Sequence, residues 1–203
     1  MPIAIVLRKQ PHVNAFRDLI VDVLGSGAAD EALLCSGFFQ ENFNGSAYQA
    51  SAEKGLASAC AKSGVKLTTI GIHNGTWKTS YLNFKANMIA GGVSINCLYK
   101  NGLAWHAKVF VASKPDTPVF GIVGSSNITR NAFSVGGKFN NECDVILWPD
   151  PSVLAALVDN LFPDDFGSII RAPYLPEENG QLSIEDRLAG LREEIMSQNL
   201  RAL

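Results

Sequence analysis

Three short polar groups interrupt the apolar runs between Trp105 and Trp148. His106 and Lys108 stand in WHAKVFVA, Gly124-Ser125-Ser126-Asn127 closes PVFGIVGSSN, and Glu142 opens ECDVILW. An imidazole can attack an electrophile or move a proton, an ammonium and an amide can hold oxyanions, and a carboxylate can orient the imidazole. Together the three groups read as one phosphate-handling site. In an extended strand, residues i and i+2 share a face, so His106 and Lys108 are predicted to point together, with Ala107, Val109 and Val111 on the other side. A strand this apolar is expected to be covered on both faces, where a positive pair needs an anion, either a protein carboxylate or a substrate phosphate. Glu142 is a candidate to accept the imidazole's hydrogen bond. After the glycine-serine elbow, Asn127 and Thr129 are placed to cap a short helix over Arg130–Phe133, whose start would suit a phosphate oxygen.

HAKVF, then GSSN, then a Glu before an apolar strand resembles the catalytic motif of the phospholipase D superfamily, H-x-K-x4-D-x6-G-[GS]-x-[NS]. The likeness is to its single-motif members, the small bacterial nucleases and metal-independent restriction endonucleases. It covers about a fifth of the chain. Ser113 stands where the pattern has Asp, and the connection to the elbow is longer. The resemblance implies that His106 is the nucleophile or acid, that Lys108 and Asn127 are phosphate ligands, that Ser125 supports them, and that Glu142 orients the imidazole. It implies no cofactor and no metal.

Enzymes of that superfamily use two His-x-Lys motifs, and this sequence has one motif and no internal repeat. The resemblance therefore implies a homodimer in which two copies of His106 meet, one forming a phosphohistidine while the other serves as acid and base. The expected activity is metal-independent phosphodiester hydrolysis, with nucleic acid as substrate and DNA ahead of RNA. A separate DNA-recognition domain or protein would supply sequence specificity. The alternatives are a catalytically silent nucleic-acid-binding subunit and a phosphodiesterase acting on a lipid or small molecule.

The elements around the motif must position it. Apolar runs predict strands at Ile3–Leu7, Glu31–Phe39, Val65–Ile72 and Val93–Tyr99, and helical spacing predicts helices over Val13–Leu24, Ala47–Ser63 and Tyr81–Ile89. Strands alternating with helices imply an α/β fold, a mixed sheet flanked by helices on both faces. Lys100-Asn101-Gly102 suggests a hairpin turn into the motif strand. Four basic or aromatic-flanked positions are candidate substrate contacts. His73 and Lys78 lie on a loop with Trp77, while Arg130 and Lys138 flank a glycine-rich segment beside the elbow. A catalytic domain over residues 1–162 is expected, followed over 163–203 by an acidic connection and an amphipathic helix, Ile184–Leu200, that packs on the domain or on a partner.

At 203 residues with 47% apolar and 18% charged content, the chain suits one domain burying roughly 70% of its unfolded surface. A net charge of −2 makes any basic patch a local one. Cys35, Cys60, Cys97 and Cys143 are too scattered for a zinc site, and three of them lie in apolar runs that suit buried reduced thiols. The N-terminal segment is too short in apolar residues for a leader or a span, so a cytoplasmic location without membrane attachment is expected.

Overall fold

The computed structural model describes residues 1–72, 75–102, 105–149, 152–161 and 169–203. The strands are β1 (Ile3–Arg8), β2 (Glu31–Cys35), β3 (Lys66–Ile72), β4 (Ile95–Lys100), β5 (Lys108–Lys114), β6 (Thr117–Gly124), β7 (Glu142–Leu147), β8 (Ile169–Ala172) and β9 (Arg201–Ala202). They form one mixed sheet in the order β8-β1-β7-β6-β5-β2-β3-β4-β9. β2, β3 and β4 are parallel, and every other pairing is antiparallel.

The helices are α1 (Ala15–Gly25), α2 (Leu56–Ser63), α3 (Lys78–Ala90), α4 (Arg130–Phe133), α5 (Ala155–Leu161) and α6 (Ile184–Met196). Period-2 alternation in the strands sorts the apolar side chains into two cores. Leu34, Phe110, Phe120, Ile122 and Ile146 face α1 to α5, while Leu33, Val109 and Val111 face α6. The α/β sheet is thus flanked by helices on both faces, as its sequence pattern implies. Cys35, Cys60 and Cys97 are buried in these cores, whereas Cys143 is exposed.

Four expectations change. The helix expected over Ala47–Ser63 splits into a 3-10 turn at Ala50–Gly55 and α2, because Lys54 and Gly55 both take positive φ. The hairpin expected at Lys100–Gly102 is absent: β4 pairs with β3 and β9, and β5 lies between β2 and β6. The chain therefore crosses from β4 to β5 past the ends of two strands. The segment read as a connection contains β8, which pairs with β1 at the sheet's edge. Finally, α6 ends at Met196, and β9 follows it to pair with Leu98 and Tyr99.

α6 opens with a capping box in which Ser183 and Asp186 satisfy each other's backbone amides. Its Leu188 lies over Gly121 of β6, and a Cβ on that glycine would overlap the Leu188 side chain. Gly121→Ala is accordingly expected to lower stability by about 1–3 kcal/mol in urea denaturation, and Leu188→Ala should cost less in that background than in wild type. Additive effects would show that α6 does not seat on β6.

Candidate active site

Strand direction gathers the three polar groups at one rim. β1, β2, β3 and β6 run toward it, and β5 and β7 start from it. Pairing sets Lys108 opposite Gly124, Gly124 opposite Asp144, and Arg8 opposite Glu142. By alternation these residues share the face of Phe110, Ile122 and Ile146, the side carrying the larger core.

His106 departs from expectation. β5 begins at Lys108, so the histidine precedes the strand and is exposed instead of sharing its face. The dyad is joined through the main chain, with Lys108 Nζ donating to the His106 carbonyl at 2.9 Å. No buried anion is needed to balance an imidazole that faces solvent.

Glu142 brings the second correction. Its carboxylate accepts hydrogen bonds from Ser125 Oγ and, at 3.0 Å, from Asn140 Nδ2, and neither donor is an imidazole. The Cys143 amide donates back to Ser125 Oγ at 3.0 Å. Within one chain, Glu142 braces the elbow serine.

Asn127 is held from the end of β2. Ser36 Oγ lies 3.3 Å from Asn127 Oδ1, and it accepts the Ile128 amide at 3.1 Å. Gly37 keeps the approach open, since a Cβ there would stand 3.2 Å from Oδ1. With the carbonyl end facing Ser36, the amide donors of Asn127 turn away from that strand end. Ser36-Gly37, within the apolar run Glu31–Phe39, thus positions a candidate phosphate ligand.

α4 forms at the expected residues. Its first amide is already occupied, because Arg130 N–H donates to Gln40 Oε1 at 2.8 Å, and the Thr129 side chain makes no capping bond. Arg130 is exposed and lines a groove of about 500 Å³ that also contains Asn127, Gln40, Phe38, Phe43 and Trp77. Lys138 and Lys78 are exposed but do not line that groove. Lys78 is the first residue of α3 rather than a loop residue. His73 lies outside the described residues.

The glycine-rich segment after α4 is pinned at both ends. Arg8, which is buried, donates to the carbonyls of Asn131 (3.1 Å), Ala132 (2.9 Å) and Ser134 (2.6 Å), and the Asn140 amide returns to the Asn131 carbonyl at 3.0 Å. Sequence reasoning passed over Arg8; its signal was a single cation closing the apolar strand IAIVLR.

Asp144 was also missed. It is 5% exposed and accepts from Ser126 Oγ at 2.6 Å and from the Ser126 amide at 3.3 Å. Burial pushes its carboxyl up to about 6, against those hydrogen bonds, which favour the ionised form. A second cavity, of about 270 Å³, lies at the opposite rim and is lined in part by Glu31, Lys66 and Ser113. Ser113, the departure from the motif, stands at that far end of β5, roughly 17 Å from Lys108 along the strand. Among the described residues, no group of three or more His, Cys, Asp or Glu is placed to share a metal ion.

No protein-family model matches this sequence, and no curated protein sequence matches it. Among solved structures, the phospholipase D family member Nuc from Salmonella typhimurium is similar, with a TM-score of 0.50 and 15% identity over 85% of this chain and 98% of Nuc. Phosphatidylserine synthase from Haemophilus influenzae Rd KW20 gives 0.47 and 13%, over 96% of this chain and 45% of that one. Yeast tyrosyl-DNA phosphodiesterase gives 0.42 and 15%, over 71% and 31%. The match to Nuc carries the assignment: this chain has the phospholipase D-like fold.

Because the Asp144 carboxyl is raised from 3.8 to about 6 on folding, the folded state binds the extra proton between those values. Stability from this group is therefore highest at low pH and is lost as pH rises through that window. Asp144→Asn keeps an acceptor for the Ser126 amide and removes the ionisation. Its stability relative to wild type should grow by roughly 1–3 kcal/mol between about pH 4.5 and 7 in urea titrations. A difference that stays constant with pH would show that Asp144 is ionised throughout.

Proposed function

We propose that this chain is a metal-independent phosphodiesterase acting on nucleic acid, DNA ahead of RNA, with its active site shared between two copies. The observation that carries this reading is the convergence of Lys108, Asn127 and Ser125 with an exposed His106 at one rim of a phospholipase D-like sheet. An imidazole open to solvent is accessible to a substrate and to a second chain, which a buried one would not be.

In this mechanism His106 attacks phosphorus, forming a P–N bond as the P–O bond to the leaving group breaks, and the partner subunit's His106 gives that oxygen its proton. The partner subunit's His106 then takes a proton from water, whose oxygen displaces the histidine and releases a phosphomonoester. Lys108 and Asn127 from both copies hold the non-bridging oxygens and stabilise the charge that builds there. Glu142, braced by Ser125, orients the imidazole brought by the partner. Arg130, Lys138 and Lys78 meet flanking phosphates, each as an exposed cation. A separate DNA-reading domain or protein supplies sequence specificity.

Purified protein should cut labelled DNA in excess EDTA, with His106→Ala reducing the rate by at least roughly 1,000-fold and Lys108→Ala by roughly 100-fold or more. Activity that EDTA abolishes and magnesium restores would sink the mechanism. A shared site also predicts that mixing equal amounts of wild type and His106→Ala, followed by subunit exchange, leaves about one half of the activity present before exchange, because wild-type homodimers fall from about one half to about one quarter of all dimers. Unchanged activity would mean that each chain works alone.

A further inference from the structure

The groove beside Asn127 has a chemistry the phosphate site does not need. Trp77 stacks on Phe43 with ring centres 4.0 Å apart and planes 7° apart, and Phe38 leans on Trp77 at 4.6 Å and 37°. All three rings are half-buried, so each keeps part of its surface in the groove. Around them stand the amides of Gln40, Asn44, Asn131 and Asn140, which carry both donors and acceptors. Among the described residues lining it, Arg130 is the only charged one, and no carboxylate is present.

We infer that this groove is a nucleobase subsite, which receives one unpaired base next to the phosphate held at Asn127. The inference rests on the nuclease reading for the identity of that phosphate and adds the strandedness of the substrate. Aromatic faces offer stacking to any base, amides offer hydrogen bonds to its edge, and the lone guanidinium offers a contact to the next phosphate. A lipid tail would desolvate the exposed amides of Asn44 and Asn131 without offering them a hydrogen bond. A base in a duplex is stacked above and below and paired at its edge, so it cannot present itself to a groove lined this way without leaving the helix. The substrate is therefore single-stranded or locally opened nucleic acid. The groove begins at Asn127, so base and phosphate are read by adjoining residues from the segments after β2, β3 and β6.

The test is binding without turnover. Fluorescence anisotropy in EDTA with His106→Ala protein compares a short oligothymidylate, the same backbone made abasic throughout, and the corresponding duplex. The base-bearing single strand is expected to bind at least about tenfold more tightly than either of the others. Adding Trp77→Leu should reduce that preference by about tenfold, and Asn131→Ala, which exchanges an exposed helical amide for a strong helix former, should reduce it by a smaller factor. Equal binding of base-bearing and abasic strands, or a preference for duplex, would overturn the inference. Should Trp77→Leu fail to fold, the abasic comparison and Asn131→Ala decide the matter. Cleavage in EDTA without base preference would leave the catalytic reading standing and remove the subsite. Base-dependent binding without cleavage would do the reverse.

Discussion

The candidate site depends on one close approach, the carboxylate of Asp144 against the backbone of Gly124. A Cβ at position 124 would collide with that carboxylate, so glycine is the residue the contact permits. The carboxylate in turn holds both the hydroxyl and the amide of Ser126. From this anchored serine the chain delivers Ser125 outward to Glu142 and Asn127 sideways to Ser36. Asn127, proposed to meet a phosphate, and Ser125, which braces Glu142, thus sit on either side of a residue that cannot shift without leaving a buried carboxyl group unsatisfied.

Around this anchor the rim is built in layers of differing rigidity. Arg8 grips three carbonyls at and beyond the end of α4, and Asn14 Nδ2 adds its own bond to the Ala132 carbonyl at 2.9 Å, which ties α4 to the start of α1. On the other side of the groove, buried Glu41 accepts from the Ser51 hydroxyl at 2.5 Å and from Asn87 Nδ2 at 2.6 Å, fixing the segment that carries Phe43 between the 3-10 turn at Ala50–Gly55 and α3. Among the described residues, none bonds the His106 imidazole, and only its carbonyl is held, by Lys108. Its freedom contrasts with the fixed positions of Asn127 and Ser125, and in the proposed dimer a second copy would supply the constraint.

The sequence made the strands, the α/β class and the Lys108–Gly124 neighbourhood legible, because alternation of Val, Ile and Phe reports faces directly. It could not report pairing between distant segments, which is why β4 and β5 read as a hairpin and β8 and β9 went unseen. Two- and four-residue edge strands carry too few side chains for a period to show. His106 was placed on the strand because Trp105 and Ala107 extend the apolar run, yet the ladder starts at Lys108. Asp144 looked like an ordinary polar residue on an alternating strand. Its burial follows from the glycine opposite, and only the register between β6 and β7 brings the two together.

The strand order also bears on how the chain reaches this structure. β1 precedes the other strands of this sheet in sequence, but its partners are β7 and β8, with Ile3 opposite Leu147 and Ala172. Until the ribosome has passed those residues, an apolar strand and the buried arginine at its end have no neighbours to pair with. The parallel trio β2-β3-β4 can assemble meanwhile with α2 and α3, from contacts much nearer in sequence. The rim that carries the elbow would then close as the outer strands arrive on a preformed half-sheet, and β1 is the strand of this sheet that waits longest for its partners.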